Sequence, residues 1–126
     1  MKHLTILLTL SALCSPAGVA AAQTAMDPIE SYCATMGDED HFASDGYQLK
    51  SAAAIIRQDR ANFHAFGKRD PSDEDDSTFA SKANRARLEA MLKRGSIDRA
   101  DARRIVNGTP DVCIDVYEDY IDVVVN

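Results

Sequence analysis

The chain has 126 residues, of which twenty are Asp or Glu and fourteen Lys or Arg, giving a net charge of −6. That sign opposes phosphate backbones and anionic bilayer surfaces, which sets nucleic acid and lipid aside as partners. The balance suits a soluble exported protein and does not by itself name a partner.

Met1, Lys2 and His3 precede the apolar run LTILLTLSAL, which Ser15, Pro16 and Gly18 then break. The run is too short to span a bilayer, and Ala20 and Ala22 are the small residues a signal peptidase needs. Residues 1–22 are therefore expected to be a cleaved signal peptide and residues 23–126 one small domain. A lipoprotein reading centred on Cys14 conflicts with Leu13, because a small residue belongs before an acylated cysteine. The expectation is an exported protein, periplasmic or extracellular, with no membrane insertion after cleavage.

Cleavage would remove Cys14 and leave Cys33 and Cys113, an even pair in an oxidising compartment. A disulfide between them is expected. It would close a loop of about eighty residues and disfavour the unfolded chain by roughly 4 kcal/mol. Zinc is the weaker reading, since no CxxC or HxxxH supplies the remaining ligands.

Helix punctuation then recurs along the chain. DPIESYCATMG offers Asp27 as N-cap, Pro28 at the first helical position, Glu30 closing a capping box and Gly37 as the stop. After the loop DEDHFAS, the spacing of Leu49, Ala53, Ile56, Arg60 and Phe63 predicts a long helix from Asp45 to Phe66, with Gly67 as its stop. STFASKANRARLEAMLKRG gives a third helix with Phe79, Ala83, Leu88, Met91 and Leu92 on its apolar side. Asp98 caps a short fourth helix that Gly108 ends. The segment TPDVCIDVYEDYIDVVV is ambiguous, because its Val, Ile and Tyr content favours a strand. The recurrence of Cys113, Val116, Tyr117, Tyr120 and Val124 at helical intervals favours a fifth helix, and helix is the reading adopted. The expected fold class is all-α, a single small bundle of about five helices whose one disulfide clamps the first helix to the last.

The stretch RQDRANFHAFGKRDPSDEDD, residues 57–76, is the candidate functional surface. Arg57, Arg60 and His64 form a basic edge at helical spacing, and Asp73, Asp75 and Asp76 an acidic loop beyond the turn. Together they are the candidate partner surface. Asp73, Asp75 and Ser77 imitate the first ligands of a calcium loop, but Thr78 and Asn84 stand where glycine and glutamate are required. The acidic loop is therefore read as a solvated turn and no metal is assigned. Phe63 and Phe66 are expected to be buried as an aromatic pair.

No catalytic motif is present: GxSxG, HExxH and glycine-rich phosphate loops are all absent from the sequence, and the disulfide would consume both cysteines. No catalytic residue and no cofactor is assigned. In outline the chain resembles small two-cysteine helical proteins of the Gram-negative periplasm, a group that includes immunity proteins against type VI secreted amidases and acid-stress chaperones. The resemblance implies a cell-envelope protein that binds another envelope or secreted protein, such as an immunity protein or inhibitor. A periplasmic enzyme with an unrecognised site and an acid-stress chaperone stand as the alternatives.

Overall fold

The computed structural model describes residues 25–126, and the expected signal peptide lies outside them. The segment around Cys33 opens the fold as a strand. Along β1, Glu30–Thr35, side chains alternate across the pleat, so Tyr32 and Ala34 are buried, as is Met36 just beyond, while Ser31 is exposed. The expected first helix is thus corrected to a strand with an inward period of two. Gly37, read as a helix stop, instead makes room for a neighbouring side chain, since a Cβ there would run into the Asp70 carboxylate.

The last segment corrects the fold class. Val112, Ile114 and Val116 point inward along β3, Asp111–Val116, and Ile121, Val123 and Val125 do so along β4, Ile121–Val125. Between the strands, Tyr117 donates its N–H to the carbonyl of Tyr120, and their rings stack at 4.3 Å. A helix here would have buried Cys113, Tyr117, Tyr120 and Val124. The hairpin instead buries only β-branched side chains, which pack well on a pleated surface.

A short strand β2, Ser96–Ile97, completes a mixed sheet of order β1-β3-β4-β2, with β2 parallel to β4 and the other pairings antiparallel. The expected all-α helical bundle is therefore overturned. The protein has an α/β fold in which α1 (Ala52–Ala61), α2 (Lys82–Arg94) and α3 (Arg99–Asn107) contribute Ile55, Ile56, Leu88, Met91 and Ile105 to one core with the inward face of the sheet. The side chains of Ser51, Ser81 and Asp98 cap the three helices. The long helix starts at Ala52 and not at Asp45, because Phe42 and Gln48 bridge to form a small hairpin whose turn uses Gly46 at φ +87°.

The disulfide is present, and it joins strands. Cys33 sits directly opposite Cys113 on β1 and β3 with Cα atoms 4.1 Å apart, the close spacing of a non-hydrogen-bonded antiparallel pair. It lies on the outer side of the sheet, with Ser31 and Asp115, and leaves the inner side to the apolar core. Among the described glycines Gly95 makes the tightest approach, since a Cβ there would overlap the Ile121 carbonyl where α2 turns into β2.

Two outcomes are expected from denaturant unfolding monitored by circular dichroism. Gly95→Ala loses roughly 1–3 kcal/mol, because the backbone must shift to admit one methyl group. Replacing both Cys33 and Cys113 by Ala loses about 2–4 kcal/mol while the mixed helix and strand signal survives.

Candidate functional site

Residues 57–76 leave α1, pass through a π turn at Asn62–Phe66, reverse at Gly67 and return along β1. β1 lies at the edge of the sheet, so part of its backbone has no neighbouring strand to bond. The acidic loop supplies the partners. Glu74 accepts from the Cys33 N–H at 2.6 Å and donates its own N–H to the Cys33 carbonyl at 2.9 Å. Asp73 accepts from the N–H groups of Thr35 at 2.9 Å and Asp70 at 2.8 Å. From the strand itself, Glu30 accepts the backbone and hydroxyl protons of Ser77 and Thr78. Burial works to raise the Glu30 pKa, but these four bonds outweigh it and hold the carboxyl below its ordinary range.

Arg60 carries the loop into the core. Its side chain is fully buried, with Nε donating to Asp59 at 2.7 Å and Nη1 donating to Asp76 at 2.9 Å and to the Glu74 carbonyl at 3.0 Å. The rings of Tyr32 and Phe63 lie 4.4 and 4.5 Å from the guanidinium carbon. Arg69 lies over the same Phe63 ring at 3.9 Å. Asp76 is shared further, accepting from His64 Nε2 at 2.7 Å and from the Phe79 N–H at 2.6 Å. Burial pushes the Asp59 pKa up to about 7 against the pull of Arg60. It likewise carries the Tyr32 phenol well above its usual range. At Arg60, burial opposes the charge, but Asp59 and the other hydrogen-bonded partners raise the pKa overall.

Beside this network Asp40 is buried, accepting from Asn62 Nδ2 at 2.8 Å and from the Gly37 N–H at 2.9 Å. Burial, with Asp70 and Asp73 nearby, pushes its pKa up to about 6. The other histidine is also placed structurally. His41 sets its two ring nitrogens 2.8 Å from the carbonyls of Gly37 and Ile105, joining the turn after β1 to α3.

The six residues of the candidate surface therefore divide. Arg57 is exposed on α1 and 3.8 Å from Glu89. Arg60 and Asp76 are buried, and His64 is held against Asp76 with little exposure. Asp73 covers the strand edge, and Asp75 is exposed but accepts from the Asp76 N–H. Inside the protein Arg60 is paired with Asp59 and Asp76, while its Nη2 and the Tyr32 hydroxyl are buried without a hydrogen-bond partner. Among the described residues, no group of His, Cys, Asp and Glu is arranged to hold a metal ion.

An open cleft lies on a neighbouring surface. Phe63 is buried as expected, but Phe66 is 55% exposed. Three residues apart on an α-helix the two would share a face. The π turn adds a residue to that turn and separates them, and such turns recur at functional sites. Phe66 faces the hairpin formed by residues 42–48, where Phe42 is 46% exposed and Tyr47 stands out in solvent. Between hairpin and helix is a cleft of about 350 Å³ lined by Phe42, Ser44, Gln58, Asn62, Phe66 and Lys68 among others. Sequence reasoning did not find Phe42 and Tyr47, although the Asp45-Gly46 pair is a hairpin signal that the helical reading overrode.

Comparison of the chain with protein-family models, with curated proteins and with solved structures finds no match in any of the three.

The geometry separates two arginines that look alike in sequence. Arg60→Ala is expected to lose roughly 3–5 kcal/mol by stranding buried carboxylates, and Arg57→Ala less than about 1 kcal/mol, both read from urea midpoints. The pH dependence has a definite sign. With a folded-state pKa of about 6 against about 3.9 unfolded, Asp40 holds more protons folded than unfolded between those values. Its contribution is complete below about pH 4 and declines as pH rises to about 6, so the unfolding free energy falls across that window. Asp40→Asn is expected to flatten this fall relative to the parent protein, whatever its effect on absolute stability.

Proposed function

We propose that this protein is an exported, non-enzymatic binding module of the cell envelope, of the immunity-protein or inhibitor kind, and that it meets a protein partner across the cleft between Phe42 and Phe66. The observation that carries the reading is the pair of exposed phenylalanines on opposite walls of one cleft. Exposed aromatic side chains beside a concavity are what protein partners use as anchors. Both walls are supported from behind. Phe66 ends a helix whose Phe63 and Arg60 are locked into the core, and the hairpin's base is held at His41, whose ring nitrogens sit 2.8 Å from the carbonyls of Gly37 and Ile105. Rigid support of this kind reduces the ordering cost of association. The chain's ionisable cluster favours binding over catalysis, because Arg60 is already paired with Asp59 and Asp76 and turned inward.

The test is capture from envelope extract of the producing cells, using the parent protein, Phe42→Ser with Phe66→Ser, and the remote surface variant Val124→Ser. A stoichiometric protein partner retained by the parent and by Val124→Ser, and lost from the double variant, is the expected result. Turnover of a cell-wall or lipid substrate without any stoichiometric partner would contradict the reading, as would a partner held equally by all three proteins.

A further inference from the structure

On the other side of Phe66 from the aromatic cleft lies a second hollow of about 310 Å³. Its apolar part comes from Ala61, Ala65, Ala86 and Phe66, and its charges from Arg57, Lys82 and Arg85. No carboxylate lines it. In a chain of net charge −6, a hollow with three cations and no anion is a local inversion of sign. The two hollows share Ser44, Gln58 and Phe66, so one extended ligand crossing Phe66 would touch both.

Folding accounts for these cations only in part. Lys82 and Arg85 begin α2, whose first turn contains no acidic residue, and cations there oppose the positive end of the helix dipole. Arg85 is anchored by donating Nη1 to the carbonyls of Phe79 and Ala80 at 2.8 and 2.9 Å, which orients its guanidinium but leaves its charge uncompensated by any carboxylate. Among the described residues Lys82 makes no ion pair, and Arg57 has only Glu89, at 3.8 Å.

We infer that this hollow receives an acidic segment of the partner protein, in which one bulky apolar side chain sits on the alanine floor against Phe66 and flanking carboxylates meet Arg57, Lys82 and Arg85. Guanidinium groups pair carboxylates in a defined geometry, and the potential of three cations would speed the encounter with an acidic loop. The inference rests on the reading of the protein as a binding module and adds the chemistry of its partner.

The test uses three synthetic peptides, each with a central Leu-Phe. The first flanks it with Asp and Glu, the second with Asn and Gln, the third with Lys. Binding is followed by amide chemical shifts of the isotope-labelled protein. The acidic peptide is expected to shift Ala61, Ala65, Phe66 and Ala86 and to bind roughly tenfold tighter than its amide counterpart, the effect of two or three exposed charge contacts. Raised salt should weaken it, and Arg57→Glu with Lys82→Glu should invert the preference toward the lysine peptide. Equal binding of all three peptides, shifts located elsewhere, or no binding at all would overturn the inference. The envelope capture stays separate: a partner lost with Phe42→Ser and Phe66→Ser but kept by the charge-reversed variant would uphold the binding module and reject its acidic ligand.

Discussion

The constraint on which the rest of the structure depends is the burial of one guanidinium. Arg60 leaves α1 inside the core, and a cation there is tolerated only if hydrogen-bonded anions surround it. Asp59 and Asp76 provide the charge, the Glu74 carbonyl a further acceptor, and Tyr32 and Phe63 the aromatic walls. The loop partners of Nη1, the Asp76 carboxylate and the Glu74 carbonyl, require the acidic loop to return to the sheet, while Nη2 stays without a partner. Once there, the loop closes the β1 edge through Asp73 and Glu74, and Asp76 bonds the turn that leads into α2. A buried ion pair of this kind brings specificity of arrangement more than net stability, since its desolvation offsets most of its attraction.

The proposed binding surface is mounted on that frame. Asn62 and Phe63 are buried at the start of the π turn, and the turn then releases Phe66 to the outside. The same residue borders both an aromatic cleft and a cationic hollow, so an exposed Phe66 sits within one helical turn of the buried Asn62 and Phe63. The residues that hold the chain together and those of the proposed surface therefore differ in burial although they are adjacent in sequence. Arg57 and Arg60 illustrate it: three positions apart, one borders the hollow and the other is wholly enclosed.

What was legible in the sequence followed from local causes. Asp98 caps α3, and the pairing of Cys33 with Cys113 follows from their number and the expected compartment. The strands were obscured because their segments satisfy two periods at once. Tyr32, Ala34 and Met36 alternate as a strand, while Ile29, Tyr32, Cys33 and Met36 recur as a helix, and Asp27, Pro28 and Gly37 added apparent caps. In the last segment, the Val and Ile runs on either side of the Tyr117-to-Tyr120 turn alternate separately, and reading across the turn as one element concealed both. The acidic run looks solvated in the sequence because the donors that use it are distant: Thr35 and Cys33 lie 38 and 41 residues from their carboxylates. The exposure of Phe66 depends on a π turn that no local residue pattern announces.

Native-state hydrogen exchange decides whether Arg60 binds the acidic loop into the core so that loop and strand unfold together. The amides of Cys33, Thr35 and Phe79 each donate to a carboxylate of the loop or its end. The account predicts that all three exchange with the free energy of global unfolding, matching the amides at the centre of β3. Exchange of these amides through a low-energy local opening, while β3 stays protected, would show that the loop is a surface attachment and would contradict the account.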